Sequence, residues 1–234
     1  ARLQHRSSPS TWFLNLILTA FGLAAVLAAT PMATVLAWTA LDIVELIILI
    51  RLIDDARLSG QAVIAFSAKV AGTFVLLWAM VQSYASGNAL NYADTQLSLG
   101  VFLLLAAGVR LGVLPLNLPA LNSRTAKQGS ALLIRLAPVA SSLALIARLP
   151  EGFLPAKSSL HTLLLVLASI AALYASAMWL TGKSQHKTLP FWIVALASFA
   201  ITCALNDRAE TSRVWGVALL LSGGVLFLFD PPIR

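Results

Sequence analysis

Long apolar runs separated by short polar stretches divide the chain into eight segments. They cover roughly 12–30, 32–53, 61–83, 97–116, 129–148, 159–180, 189–205 and 213–230. A helix needs about 20 residues to cross a ~30 Å hydrocarbon core, and each run approaches or exceeds that length. The connections are short, so consecutive helices are antiparallel neighbours. The pattern predicts an all-α fold, a polytopic membrane helical bundle of about eight transmembrane helices forming one domain over residues 1–234. Two of the runs, in 97–148, each contain an arginine, Arg110 and Arg135. An arginine inside an apolar helix costs roughly 3 kcal/mol or more on insertion scales. It persists only where it faces other protein, an acidic partner or water, so the pattern also predicts a polar interior.

Composition strengthens this picture. Apolar residues make up 59% of the chain and charged residues 11%, and the mean hydropathy is +0.87. Soluble domains carry about a quarter charged residues. The net charge of +7 does not point to nucleic acid, because the basic residues sit in short loops, where the positive-inside rule puts them. With a cytoplasmic N-terminus, the inside segments hold Arg2, Arg6, Arg51, Arg57, Arg124, Lys127, Lys183, Lys187 and Arg234. The outside segments then hold Arg148, Lys157, Arg208 and Arg213. That balance, nine against four, predicts both termini on the cytoplasmic side. Residues 1–11 are polar and basic, but the run behind them lacks an A-x-A-like exit, so it reads as a retained helix rather than a cleaved signal. The single Cys203 lies in an apolar run and cannot form an intrachain disulfide.

Five charges fall inside the predicted helices: Asp42, Glu45, Lys69, Arg110 and Arg135. At ~1.5 Å per residue, Asp42 lies near the midpoint of its helix and Glu45 about one turn nearer the cytoplasm. Lys69, Arg110 and Arg135 each come out roughly 5 Å to the cytoplasmic side of the midplane. Four helices thus place charge in one layer. Asp42 and Glu45 are three apart and share a helix face, which Trp38 and Leu49 extend. Two readings of the layer stand side by side. Intramembrane ionisable groups mark ion paths; buried pairs also serve architecture alone, locking helices together. Guanidinium does not deprotonate at physiological pH, so only Asp42, Glu45 and Lys69 in this layer titrate.

Helix breakers lie close by. Pro115 and Pro119 bracket the end of the fourth helix, and Pro138 removes a backbone hydrogen bond within the fifth. Broken membrane helices meet either packed protein or a water-filled cavity. Gly223 and Gly224 read as close helix contacts. Other chemistry is thin. His5, His161 and His186 are not spaced as metal ligands, and there is no phosphate-binding glycine loop, nucleophile elbow or CxxC. The sequence predicts no cofactor, no metal and no catalytic site of its own.

The stretch Ala107-Gly108-Val109-Arg110-Leu111-Gly112-Val113-Leu114-Pro115-Leu116-Asn117 resembles the lysine-helix motif of a known family. That family comprises the antiporter-like, proton-conducting subunits of respiratory complex I (an NADH dehydrogenase) and of multisubunit cation/proton antiporters. Its motif reads approximately A-x-x-K-S-A-Q-x-P-x-H. Pro115 matches in register, Arg110 stands where the family has lysine, and Asn117 where it has histidine. Ser130-Ala131-Leu132-Leu133 and Leu143-Ala144-Leu145-Ile146-Ala147-Arg148 resemble the ends of the family's next helix. Ile134, followed by Arg135, stands at its histidine. Gln185-His186-Lys187 resembles the D-L-K turn after a later family helix. Leu36-Ala37-Trp38 resembles the start of the glutamate helix, with Thr39 at the glutamate position and the acids displaced to Asp42 and Glu45.

The resemblance implies one five-helix repeat plus part of its inverted partner, the eight helices corresponding to the family's fourth to eleventh. The chain is then a shortened paralogue or part of a longer protein. The resemblance further implies a subunit of an energy-coupling complex in a bacterial inner membrane or equivalent, moving protons or monovalent cations beside other membrane subunits. The alternative is a non-conducting structural subunit whose ion pairs only hold helices together. In the conducting case, Lys69 with Glu45 is the pair expected to relay a proton, tuned by Arg110 and Arg135.

Overall fold

The computed structural model describes residues 9–52, 56–87, 91–92, 97–115, 128–182 and 185–228. Eight α-helices account for nearly all of them: α1 (Pro9–Leu27), α2 (Pro31–Leu52), α3 (Ala56–Ala85), α4 (Leu97–Arg110), α5 (Gln128–Ile146), α6 (Ser159–Thr181), α7 (Gln185–Leu205) and α8 (Ala209–Leu228). The fold is all-α, with no strand among the described residues.

Among the described residues, four stretches are long and apolar enough to cross a membrane: Pro31–Ile50, Val63–Ala85, Ser159–Thr181 and Thr188–Leu205. The apolar parts of α1, α4 and α5 are shorter, Trp12–Leu27, Leu97–Arg110 and Ile134–Ile146. The expected eight full spans therefore reduce, by length and composition, to four clear ones. These four are consistent with a helical membrane protein, and so is the surface. Phe13, Leu16, Ile50, Ile64, Phe74 and Leu180 are all well exposed. Apolar exposure on this scale exceeds what soluble monomers present.

The shortening of α4 has a definite cause. The pattern predicts helix to 116, but α4 stops at Arg110. Gly112 takes φ +73°, the left-handed conformation that costs glycine least. Its N–H donates to Val109 O (3.1 Å), and Val113 N–H donates to Gly108 O (2.9 Å). These two bonds make a Schellman cap. The chain then turns through 111–115, with a cis Leu114–Pro115 bond. The break thus falls at Gly112, ahead of Pro115. Pro138 stays inside a continuous α5. Gln185–Lys187, expected as a turn, instead forms the first turn of α7. Asn117, Pro119, His5, the loop cations Arg124, Lys127 and Lys183, and both tails lie outside the described residues.

Helices α1 to α5 close a ring in chain order: α1 packs on α2, α2 on α3, α3 on α4, α4 on α5, and α5 returns to α1. Helices α7 and α8 lean on α5, and α6 packs on α7. One core cluster joins α2–α5 to α6–α8 through Trp38, Leu76, Leu104, Leu145, Ala168 and Ile201. A smaller one, Leu18, Leu41, Ile48 and Ile134, knits α1, α2 and α5. Small residues let helices approach closely. Ala168, Ala171 and Ala175 of α6 are fully buried. A β-carbon on Gly223 would touch Leu136 and Trp192, whereas one on Gly224 would meet nothing, so only the first glycine is a close contact.

Candidate functional site

The packing of α2–α5 brings Asp42, Glu45, Lys69 and Arg110 together, and Arg135 lines the same cavity as Glu45, Lys69 and Arg110. Asp42 and Glu45, on one face of α2, are buried. Arg110, in the last turn of α4, reaches across to Asp42 with both terminal nitrogens: Nη1 to Oδ2 at 2.6 Å and Nη2 to Oδ1 at 2.7 Å. This is the fork-to-fork geometry in which a guanidinium binds carboxylate most strongly. Nη1 also donates to Thr73 Oγ1 (3.0 Å) and to the Lys69 carbonyl (3.1 Å), both on α3. The guanidinium lies over the Trp38 ring, 4.2 Å from its centroid, an arrangement that favours a cation. Arg110 also sits where the carbonyl end of α4 is electronegative. One charge is thus held by an acid, a hydroxyl, a carbonyl, a π face and a helix end.

Lys69 makes the second pair. Its ammonium donates to Glu45 Oε1. The side chain of Lys69 is 15% exposed and that of Glu45 5%. Glu45 Oε2 and Arg110 Nε are buried without a hydrogen-bond partner among the described residues. Both residues line a cavity of ≈ 70 Å³. Lys69, Arg135, Pro138 and Pro190 also line it. The two prolines sit inside α5 and α7, where each deprives the carbonyl four residues earlier of its donor. Charge and two in-helix prolines therefore converge on one space, with room for about two waters at ~30 Å³ each.

The structure thus brings Asp42, Glu45, Lys69 and Arg110 into two ion pairs and sets Arg135 on the wall of the adjoining cavity. Pro138 belongs to that wall, whereas Pro115 follows the end of α4 in the turn. Sequence reading missed several contributors. Gly72 is one: a β-carbon there would lie 2.6 Å from Arg110 Cγ and 2.8 Å from the Ala106 carbonyl. Only glycine lets the Arg110 stem cross α3. Pro190 was missed too, although an in-helix proline is legible wherever a helix is. Ser141 accepts from Trp38 Nε1 (3.0 Å) and donates to the Pro138 carbonyl (2.8 Å), joining α2 to the proline turn of α5.

A second polar cluster lies at the opposite end of α2. Thr34 Oγ1 and the Tyr92 hydroxyl are 2.7 Å apart. The Arg148 guanidinium stands 5.1 Å over the Tyr92 ring and donates to the Val26 and Ala28 carbonyls at the end of α1. Burial pushes the Tyr92 phenol above its ordinary value, with Thr34 and Arg148 pulling the other way. His161 of α6 is likewise structural, its Nε2 3.1 Å from the Leu205 carbonyl. Among the described residues, no three His, Cys, Asp or Glu side chains group as metal ligands.

Fold and site together describe a helical bundle with lipid-compatible surfaces and a charged layer within it. Compared with known proteins, the chain matches no family model and no curated sequence.

Proposed function

We propose that the chain is a membrane subunit of an energy-coupling complex, akin to the antiporter-like subunits its motifs resemble. In this reading it moves protons or monovalent cations through its charged layer. All eight helices cross the bilayer, the short ones beside thinned or protein-filled regions, with both termini cytoplasmic in a bacterial inner membrane or equivalent. The ring of α1–α5 corresponds to one five-helix repeat, α6–α8 to part of the second, and other subunits cover the exposed faces. The observation that carries the reading is the titratable couple Glu45–Lys69, both members of which line one cavity, with the second Glu45 oxygen buried and without a hydrogen-bond partner among the described residues.

The two ion pairs divide the work. Arg110 cannot release its proton, so its charge is permanent and it relays nothing. Glu45–Lys69 exists either as an ion pair or, after a proton passes from Nζ to the carboxylate, as a neutral couple. The low dielectric narrows the gap between those forms. A proton arriving through the cavity is accepted at Glu45 of the ion pair, Lys69 passes its own proton onward, and transfer from Glu45 to the Lys69 amine restores the pair. Arg110 and Arg135 disfavour a second positive charge and set the balance.

The test is proton flux in vesicles containing the full chain, driven by a potassium diffusion potential. Glu45→Gln and Lys69→Ala are each expected to cut the flux by about tenfold or more. Unchanged flux in both removes the layer as a path. The second reading, a non-conducting clasp, is favoured by the four hydrogen bonds that the two terminal nitrogens of Arg110 donate. It predicts loss of stability in these variants with no change in flux.

A further inference from the structure

Thr34, Trp38, Asp42 and Glu45 are spaced four, four and three apart along α2, so they lie on one face of the helix. Three are polar and one is a large aromatic, and each polar member belongs to a different group described above. Glu45 faces the cavity. Asp42 holds Arg110. Thr34 meets Tyr92, beneath Arg148. Thr34 and Asp42 stand roughly 12 Å apart along the axis, and Trp38 occupies the interval. Its side chain is fully buried. One face of the indole is covered by the Arg110 guanidinium, and the ring nitrogen is fastened to Ser141. Ser141 is in turn fastened to the carbonyl of Pro138, a cavity-lining residue.

From this arrangement we infer that Trp38 is the gate of the ion path, separating the Glu45–Lys69 cavity from the Thr34–Tyr92 group at the other end of α2. The inference rests on the conducting reading given above. An indole carries no exchangeable proton on its faces and leaves no room for water, so the stripe of polar groups is interrupted at this one residue. Both of its anchors belong to the machinery. Movement of Arg110 away from Asp42 uncovers the ring, and movement of α5 at Pro138 pulls on Ser141. Each frees the indole to rotate and lets water join the two polar groups. In the state described here both anchors of Trp38 are engaged, and the gate is shut.

The experiment uses the full chain in phosphatidylcholine vesicles with a trapped pH-sensitive dye and a potassium diffusion potential. Trp38→Ala is expected to raise proton flux by about tenfold, and Trp38→Ala/Glu45→Gln to return it to or below the parent level. Ser141→Ala removes the anchor with little change in volume and is expected to give a smaller, few-fold rise, as is Trp38→Phe. These two decide the matter if Trp38→Ala does not fold. Flux in the Trp38 and Ser141 variants equal to the parent overturns the gate, as does a rise that survives Glu45→Gln, which is a general leak. Parent flux that Glu45→Gln abolishes, with the gate variants unchanged, overturns the gate and leaves the path standing. Absence of Glu45-dependent flux in every variant overturns both.

Discussion

At the scale of single residues, the two ion pairs are not equivalent. Asp42→Asn leaves a buried guanidinium without its counter-charge, which costs about 3–5 kcal/mol. Thermal unfolding in detergent is expected to show that loss, and Asp42→Leu/Arg110→Met to recover much of it, because an apolar pair of similar volume needs no desolvation. Tyr92 makes a pH prediction. Its folded value is raised above 10.0, so the fold keeps the proton at pH values where the unfolded chain has released it. Its contribution is complete below about pH 10 and is lost as pH rises toward the folded value. The stability difference between the parent and Tyr92→Phe should therefore hold steady up to about pH 10 and shrink as pH rises beyond it. A difference that grows with pH would contradict this placement of Tyr92. The layer itself was legible in the sequence, because charge in an apolar run is conspicuous and helix rise fixes depth. The coupling of Lys69 with Glu45 was named from the sequence, but which acid Arg110 meets was not. Asp42 and Glu45 are one turn apart, and only the crossing of α3 and α4 decides between them.

At the scale of elements, glycines set what the charges can reach. Gly72→Ala puts a methyl group against the Arg110 stem and the Ala106 carbonyl. Overpacking of this kind costs typically about 1–3 kcal/mol. The loss should couple with Asp42→Asn in a double-mutant cycle, since both act on the same side chain. Simple additivity would show that α3 and α4 part without disturbing the pair. Gly112→Ala should cost about 1 kcal/mol by straining the cap of α4. The end of α4 was misjudged from sequence because the apolar run passes through Gly112 without a polar residue. The available signal was a glycine two positions beyond a basic residue, the usual signature of a helix C-terminus. The starts of α7 and α8 came earlier than expected for the opposite reason. Polar first turns carry no hydrophobic period, and only the hydrogen-bond pattern reveals them.

At the scale of the whole molecule, the antiparallel succession of helices can be tested directly. With Cys203 replaced by serine, single cysteines at the exposed positions Ser86, Glu151 and Thr181 should divide by side. An impermeant maleimide applied to sealed vesicles should label Ser86→Cys and Glu151→Cys from one face and Thr181→Cys from the other. Labelling of all three from one face would mean that α6 does not cross. The number of helices was legible in the chain because each is an apolar run between polar breaks. The closure of α1–α5 into a ring was not, since local pattern says nothing about which distant helix α5 meets.

The bonding around Arg110 bears on how readily this layer could change its chemistry. Its planar head satisfies two carboxylate oxygens, a threonine hydroxyl and a backbone carbonyl together. A lysine at that position would offer a single compact ammonium, stranding some of those acceptors in a dry interior. Placing a releasable proton there would thus require neighbouring side chains to be rebuilt in concert, out of reach of any single substitution.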